Sequence, residues 1–480
     1  METYHLDEQH LKRAEGIRTV DTYGLWLIIV FPALRSFDII YRMRQNMYDL
    51  PGRRSNTLWS KDVEYVISGR SNIADSLPLV FERGRGVYIY DVDGNEYLDF
   101  SAGILTAATG HCHPEFVRRV TDQVERLCHV YAYPTPDRHE LCRKLSAKMP
   151  AGIDTFAFYC EGTVAVEAAL RAASSYNKRY LYAAMTHSYH GRTMLARSLG
   201  SHLLPKQFGP TANAAHLHYP YCYRCPLKLE YPKCNFACIE SASDLLQSSG
   251  TEPPSALIFE PVAGAGGIIV PPPGAWRRLV DLCKDLDMVI IADEVLTGVG
   301  RTGAFLAVEH FGIEPDLTTF GKGLGSGIPI MCVAGKREIM SSSPFGESGG
   351  GGASTSFGGN PVSGAAAHAT IDIINEEKLV ENAANLGDEI EKRTASWSQT
   401  YNIVGDVRGI GLLWGVEFVK DKKTKEPHGH AWNEIYKTCM RRGVRLVPNR
   451  ICPPLNITSE QLHHGLDVIE SAIGEVDVQR

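Results

Sequence analysis

Residues 86–100 read GVYIYDVDGNEYLDF, with apolar and polar positions alternating on either side of Asp93-Gly94. Period-two alternation interrupted by Asp-Gly predicts two antiparallel strands joined by a tight turn. Between about 116 and 343 the pattern changes. Helical stretches alternate with short apolar runs bounded by Gly, Pro or Asp, such as DTFAFYC (154–160), ALIFEPV (256–262) and MVIIADEV (288–295). Near-continuous apolar runs rich in β-branched residues predict strands buried on both faces, and hence a parallel α/β sheet. The Ser- and Gly-rich 341–352 predicts a loop. Beyond it, a helix is expected over 364–375 and a strand in GLLWGVEFV (411–419). A second, smaller α+β domain is expected in this C-terminal region, built jointly with the hairpin near residue 90.

Composition narrows the possibilities. The chain has 480 residues, and Lys+Arg 49 against Asp+Glu 55 leaves a net charge of -6 without a basic block, which argues against nucleic-acid binding. The length suits two or three domains with a self-sufficient core. Twelve cysteines in so long a chain do not make a disulfide scaffold, and METYHLDEQHLKR lacks the apolar core of a secretory signal, so a cytoplasmic protein is expected. The most apolar stretch, LWLIIVFPAL (25–34), contains Pro32 and is about half the ~20 residues of a membrane span. It is expected to serve as a core or subunit-interface segment, with no membrane partner.

Chemistry enters at Asp293, the end of the apolar run VIIAD. Ligand sites in parallel sheets gather at the carboxyl ends of strands, so an acid there faces the crevice, although an Asp can equally cap the next turn. Lys322 follows in PDLTTFGKGLGSGIP. Lysines are usually solvated, but glycines on both sides leave room for a bulky ligand. An amine in an apolar crevice shifts toward its neutral, nucleophilic form and can make a Schiff base with an aldehyde. Together the two residues suggest pyridoxal phosphate, whose aldehyde takes the lysine and whose ring nitrogen wants an anionic partner. A phosphate cradle is then needed, and Cys160-Glu161-Gly162-Thr163, joining a strand to the helix at 164–173, offers free first-turn N–H groups and a hydroxyl. Tyr189, in SYHGRT, can stack on a ring.

These motifs, with GHCHP, FEPVAGAGGIIVPP, SFGGNP and VRGIGLLWGVEF in the same order, resemble the class III (subgroup II, omega-type) aminotransferases of the fold-type I pyridoxal phosphate enzymes, over about 86–455. The resemblance implies a large domain with a mainly parallel, seven-stranded sheet flanked by helices. It divides the chain into an N-terminal arm (1–60), the first part of a small domain (61–115), the large cofactor domain (116–378) and a C-terminal small domain (379–480). It further implies a homodimer with shared active sites. Lys322 becomes the Schiff-base lysine and proton carrier, and Asp293 the partner of the ring nitrogen. Val295 and Tyr189 take the two ring faces and Gly162 and Thr163 the phosphate, with Ser356 reaching the phosphate of the neighbouring subunit. Glu260 and Arg301 are expected to be structural. The cradle departs from the family, which has a small residue in place of Glu161 and an acid in place of Val164.

The implied reaction moves an amino group between an amino-acid donor, glutamate or alanine, and a ketone or aldehyde acceptor. Arg450, in NRICPPLNI, matches a family arginine that pairs with a substrate carboxylate and is expected on an exposed loop; Arg408 is a weaker candidate. The glutamate that gates this arginine in ornithine- and 4-aminobutyrate-type enzymes is Ala265 here, which favours an amine or amino-sugar substrate. Some aminotransferases of aminoglycoside antibiotic assembly resemble this pattern. An ω-amino acid aminotransferase, a decarboxylase or an aminomutase uses the same Lys and Asp. Finally, Cys222, Cys225, Cys234 and Cys238 have the spacing of a structural zinc knuckle, against the simpler reading of ordinary thiols in a surface insertion.

Overall fold

A computed structural model describes residues 47–66, 77–200, 214–248, 252–347, 352–447 and 449–478. The apolar segment 25–34 and most of the expected N-terminal arm lie outside them. The alternating segment forms strands β1 (Phe81–Arg85), β2 (Tyr88–Asp91) and β3 (Glu96–Asp99), with Asp93 and Gly94 in the turn between β2 and β3.

The apolar runs form β4 (Ile153–Tyr159), β5 (Tyr182–Met185), β6 (Ala214–Leu217), β7 (Ala256–Phe259), β8 (Val289–Glu294), β9 (Leu317–Phe320) and β10 (Met331–Lys336). They make one seven-stranded sheet in the order β4-β10-β9-β8-β7-β5-β6. Five strands, β5 to β9, run parallel, whereas β10 is antiparallel to both β9 and β4. All of β5, β7, β8 and β9 is buried, as near-continuous apolar runs require. Helix α1 (Gly162–Asn177) covers one side with an alanine-rich face. Ala165, Ala169 and Ala173 are fully buried in a cluster with Ile258, Ile291 and Val333, where small side chains let helix and sheet approach closely. Helix α2 (Pro361–Glu376) starts at Asn360, whose side chain accepts the Ser363 N–H at 3.0 Å.

The C-terminal region supplies β11 (Val404–Ile410), β12 (Leu413–Phe418), β13 (Val444–Arg445) and β14 (Arg450–Ile451). Strands β11, β12 and β14 form a small sheet, while β13 joins β3 in parallel, so the N-terminal hairpin and the C-terminal chain share a sheet as expected. Buried Asp99 ties them. It binds His111 Nε2 at 2.8 Å and accepts from Gly103 N and Arg445 Nη1, each at 2.8 Å. No helix among the described residues is long and apolar enough to cross a membrane.

Candidate active site

The parallel strands bring their carboxyl ends to one edge, and β8 places Asp293 there. The β8–β9 register sets Asp293 opposite Thr319, whose hydroxyl donates to Oδ1 at 3.1 Å; Val295 N donates to the same oxygen at 3.1 Å. On the other oxygen, His190 Nδ1 lies 2.7 Å away with its ring wholly buried. With the carboxylate accepting, His190 carries its proton on Nδ1. Its Nε2 is buried with no hydrogen-bond partner among the described residues.

Lys322 opens the turn after β9 and takes a left-handed backbone conformation, φ 43°. For a non-glycine residue this costs on the order of 1–2 kcal/mol, a strain characteristic of functional turns. Burial pushes its amine down from the usual lysine range, Asp293 and Glu260 oppose that shift, and Arg450 adds to it. A neutral, nucleophilic amine is therefore more accessible here than on a surface lysine. Gly321 is needed before it, because a Cβ there would sit 1.9 Å from Met331 Sδ.

Gly162 and Thr163 begin α1, where first-turn N–H groups have no intrahelical acceptor and attract an anion. The SYHGRT turn lies against this helix start. Thr163 Oγ1 is 2.6 Å from Thr193 Oγ1 and accepts from Arg192 N and Thr193 N, both at 3.2 Å. Gly191 (φ +140°) permits the approach, since a Cβ there would come within 2.2 Å of Thr163 Oγ1. A single cavity of about 340 Å³ is lined by Gly162, Thr163, Tyr189, Asp293, Val295 and Lys322. An imine-forming amine, an anchored acid, an anion-binding helix start and an aromatic face around one space fit pyridoxal phosphate.

Ser356 is exposed and does not line this cavity. Arg450 is not the exposed loop residue expected: it lies in β14, opposite Gly415 of β12, and is half-buried. Its Nε is buried without a hydrogen-bond partner among the described residues, and burial lowers its pKa from the usual arginine value. Arg408 is fully engaged, with Asp406 at 2.7 Å, Glu417 at 2.9 Å and the carbonyls of Gly267 and Ile268 at 2.6 and 3.0 Å, so it braces the small sheet. Arg301 likewise donates to the carbonyls of Leu412 and Pro453.

Among the described residues no group of three or more His, Cys, Asp or Glu is arranged to hold a metal ion. The segment that carries Cys222, Cys225, Cys234 and Cys238 is anchored by Tyr221 and Arg224, both bonded to Glu417.

Three residues of the site were not foreseen in these roles. His190 and Arg192 flank Gly191 within SYHGRT, so the motif held the signal. Arg192 and Glu161 are exposed and both line the cavity, so its lining includes a cation as well as the unusual acid. Glu260 also lines it, and burial pushes its pKa up to about 7.

Residues 70–473 match the model of the family described as aminotransferase class-III. A probable 4-aminobutyrate aminotransferase of Bacillus subtilis is 33% identical over 426 residues, 85% of this chain and 95% of that protein. A leucine/methionine racemase of Thermococcus litoralis is 34% identical over 419 residues, 84% of this chain and 92% of that protein. Among solved structures, an (S)-enantioselective omega-transaminase from Thermomicrobium roseum superposes with a TM-score of 0.81 at 29% identity, covering 88% of this chain and 99% of that one.

Proposed function

Because the chain belongs to the class III aminotransferases, we propose that the cavity beside Lys322 holds pyridoxal 5'-phosphate and serves transfer between an amino-acid donor, glutamate or alanine, and the ketone or aldehyde of an amine or amino sugar. The observation that carries this reading is that Lys322, Asp293, Gly162 and Thr163, drawn from distant parts of the sequence, line one cavity. When bound, the cofactor supplies an aldehyde for Lys322 and an electron-withdrawing ring. Asp293, held by His190 and Thr319, presents its carboxyl group to the ring nitrogen. Lys322 Nζ, once released, would take the proton from the substrate carbon and deliver it to the cofactor carbon that had carried the aldehyde, acting as base and then acid. Gly162 and Thr163 hold the phosphate, and Tyr189 and Val295 confine the ring. In a cytoplasmic homodimer with shared sites, the exposed Ser356 of one subunit serves the phosphate end of the other subunit's cavity. We keep 61–115 with 379–480 as the small domain, 116–378 as the large one and 1–60 as the arm.

Arg450 is proposed to receive the donor carboxylate, supported by its buried, unpartnered Nε. One observation favours a second reading, an ω-amino acid substrate of the 4-aminobutyrate kind. Arg192 offers the cavity a further cation for a carboxylate. The test is to mix purified enzyme with L-glutamate, L-alanine, 4-aminobutyrate or an amino sugar and follow the cofactor absorbance by stopped flow. The absence of an absorbance change with any of these amines would sink the proposal. Arg450→Ala should slow the half-reaction with the amino-acid donor roughly 30- to 100-fold, about 2–3 kcal/mol, and that with an uncharged amine far less. Equal losses would make Arg450 structural.

A further inference from the structure

Glu260 follows β7 and is buried, with 4% of its surface exposed. Its two oxygens serve two different segments: Oε1 accepts the N–H of Tyr189 at 2.8 Å and Oε2 the N–H of Gly264 at 2.9 Å. Tyr189 and Ala265, which follows Gly264, both line the cavity beside Lys322. Glu260 is therefore a bridge between two walls made by segments far apart in sequence. Its charge also acts on its surroundings. It raises the pKa of both Lys322 and the half-buried Arg450.

We propose that Glu260 is a positioning residue whose carboxylate fixes both walls between which a substrate amine approaches Lys322. The inference rests on the cofactor reading above. The groups facing Glu260 are His190 from the SYHGRT turn, Asp293 from β8, Lys322 from the turn after β9, Arg450 from β14 and Tyr219, whose hydroxyl donates to the Glu260 carbonyl at 3.2 Å. A carboxylate accepts at both oxygens, whereas a protonated carboxyl turns a proton toward one of its two N–H donors and loosens that wall. Burial raises Glu260 to about 7, so the walls are firmly held above neutrality and loosened below it, and Lys322 loses an anionic neighbour in the same range.

The test is a titration of the cofactor absorbance of the holoenzyme between about pH 5.5 and 9, with KM and kcat for the amino-acid donor alongside. The unmodified enzyme should show a transition near neutrality. Glu260→Gln has the same shape but neither the charge nor two acceptors. It should abolish the absorbance transition near neutrality and raise KM more than it lowers kcat. Glu260→Asp keeps the charge but is too short to reach both N–H groups. It should leave the pH transition in place while raising KM, and it carries the test if the Gln variant does not fold. Absorbance titrations of both variants that superimpose on the unmodified enzyme, with unchanged KM, would overturn the proposal even if melting temperatures fell. An unmodified enzyme without any lysine-bound cofactor absorbance would overturn the cofactor reading and this inference together.

Discussion

Asp293 and Glu294 are neighbours in β8 and meet opposite surroundings. Strand geometry turns them to opposite faces. Asp293 meets the cavity, His190 and Thr319. Glu294 is completely buried on the other side, where it accepts from Thr297 Oγ1 and from Val308 N at 2.8 Å. Asp293→Asn should retain the cofactor but slow turnover by orders of magnitude, because an amide offers the ring nitrogen no charge; an unchanged kcat would make Asp293 structural. Lys322→Ala should abolish both turnover and the absorbance of lysine-bound cofactor. For Glu294, burial raises the pKa from 4.5 to about 7. A carboxyl whose folded value lies above its unfolded one adds stability that is complete below about 4.5 and lost as pH rises through about 7. Glu294→Gln should thus flatten the dependence of Tm on pH across this window, removing a slope worth on the order of 3 kcal/mol. Asp293 and Lys322 were legible in sequence because each stands at the end of an apolar strand inside a glycine-rich context. The role of His190 was not, since a single histidine is ambiguous until its partner, here 103 residues away, is known.

At the scale of elements, the cradle depends on how closely the SYHGRT turn lies against the first turn of α1. Gly191→Ala would place a methyl group against the Thr163 side chain and backbone, in a backbone region L residues avoid. We expect at least tenfold weaker cofactor binding by equilibrium dialysis, with a lower Tm. Wild-type affinity would mean the cradle lies elsewhere. The strands were legible as apolar runs, but the direction of β4 and β10 was not: a strand buried on both faces has the same composition whether its neighbours run with it or against it. Arg450 was misjudged for a related reason. Two residues of pairing with β12 suffice to hold it, too short a strand for periodicity to reveal.

At the scale of the molecule, Asp99 fastens the first described sheet to the C-terminal chain. Burial alone would raise its pKa, yet hydrogen bonds from His111, Ser101 and Gly103 and the charge of Arg445 hold it well below the usual carboxylate range. A depressed carboxyl contributes stability above its unfolded pKa and loses it as pH falls, so this junction is expected to give way first in acid. Asp99→Asn should lower stability at neutral pH by about 2–4 kcal/mol, measured by urea unfolding, and blunt the acid sensitivity. A parent-like urea midpoint would show that the ion pairs there contribute nothing. The partnership of hairpin and C-terminal region was expected from sequence, but its agent was not, because Asp99 and Arg445 sit 346 residues apart.

The reversal of β10 has one more consequence, for synthesis. Strand β4 stands at the sheet edge with β10 as its neighbour. On the ribosome, Tyr159 is made long before Met331, and at ~5–20 residues per second the interval lasts roughly 10–30 s. Throughout it the nascent chain carries the unpaired, aromatic-rich segment IDTFAFY, a template for association with other unfinished chains. Productive folding of this enzyme therefore depends on shielding one strand until translation delivers its mate.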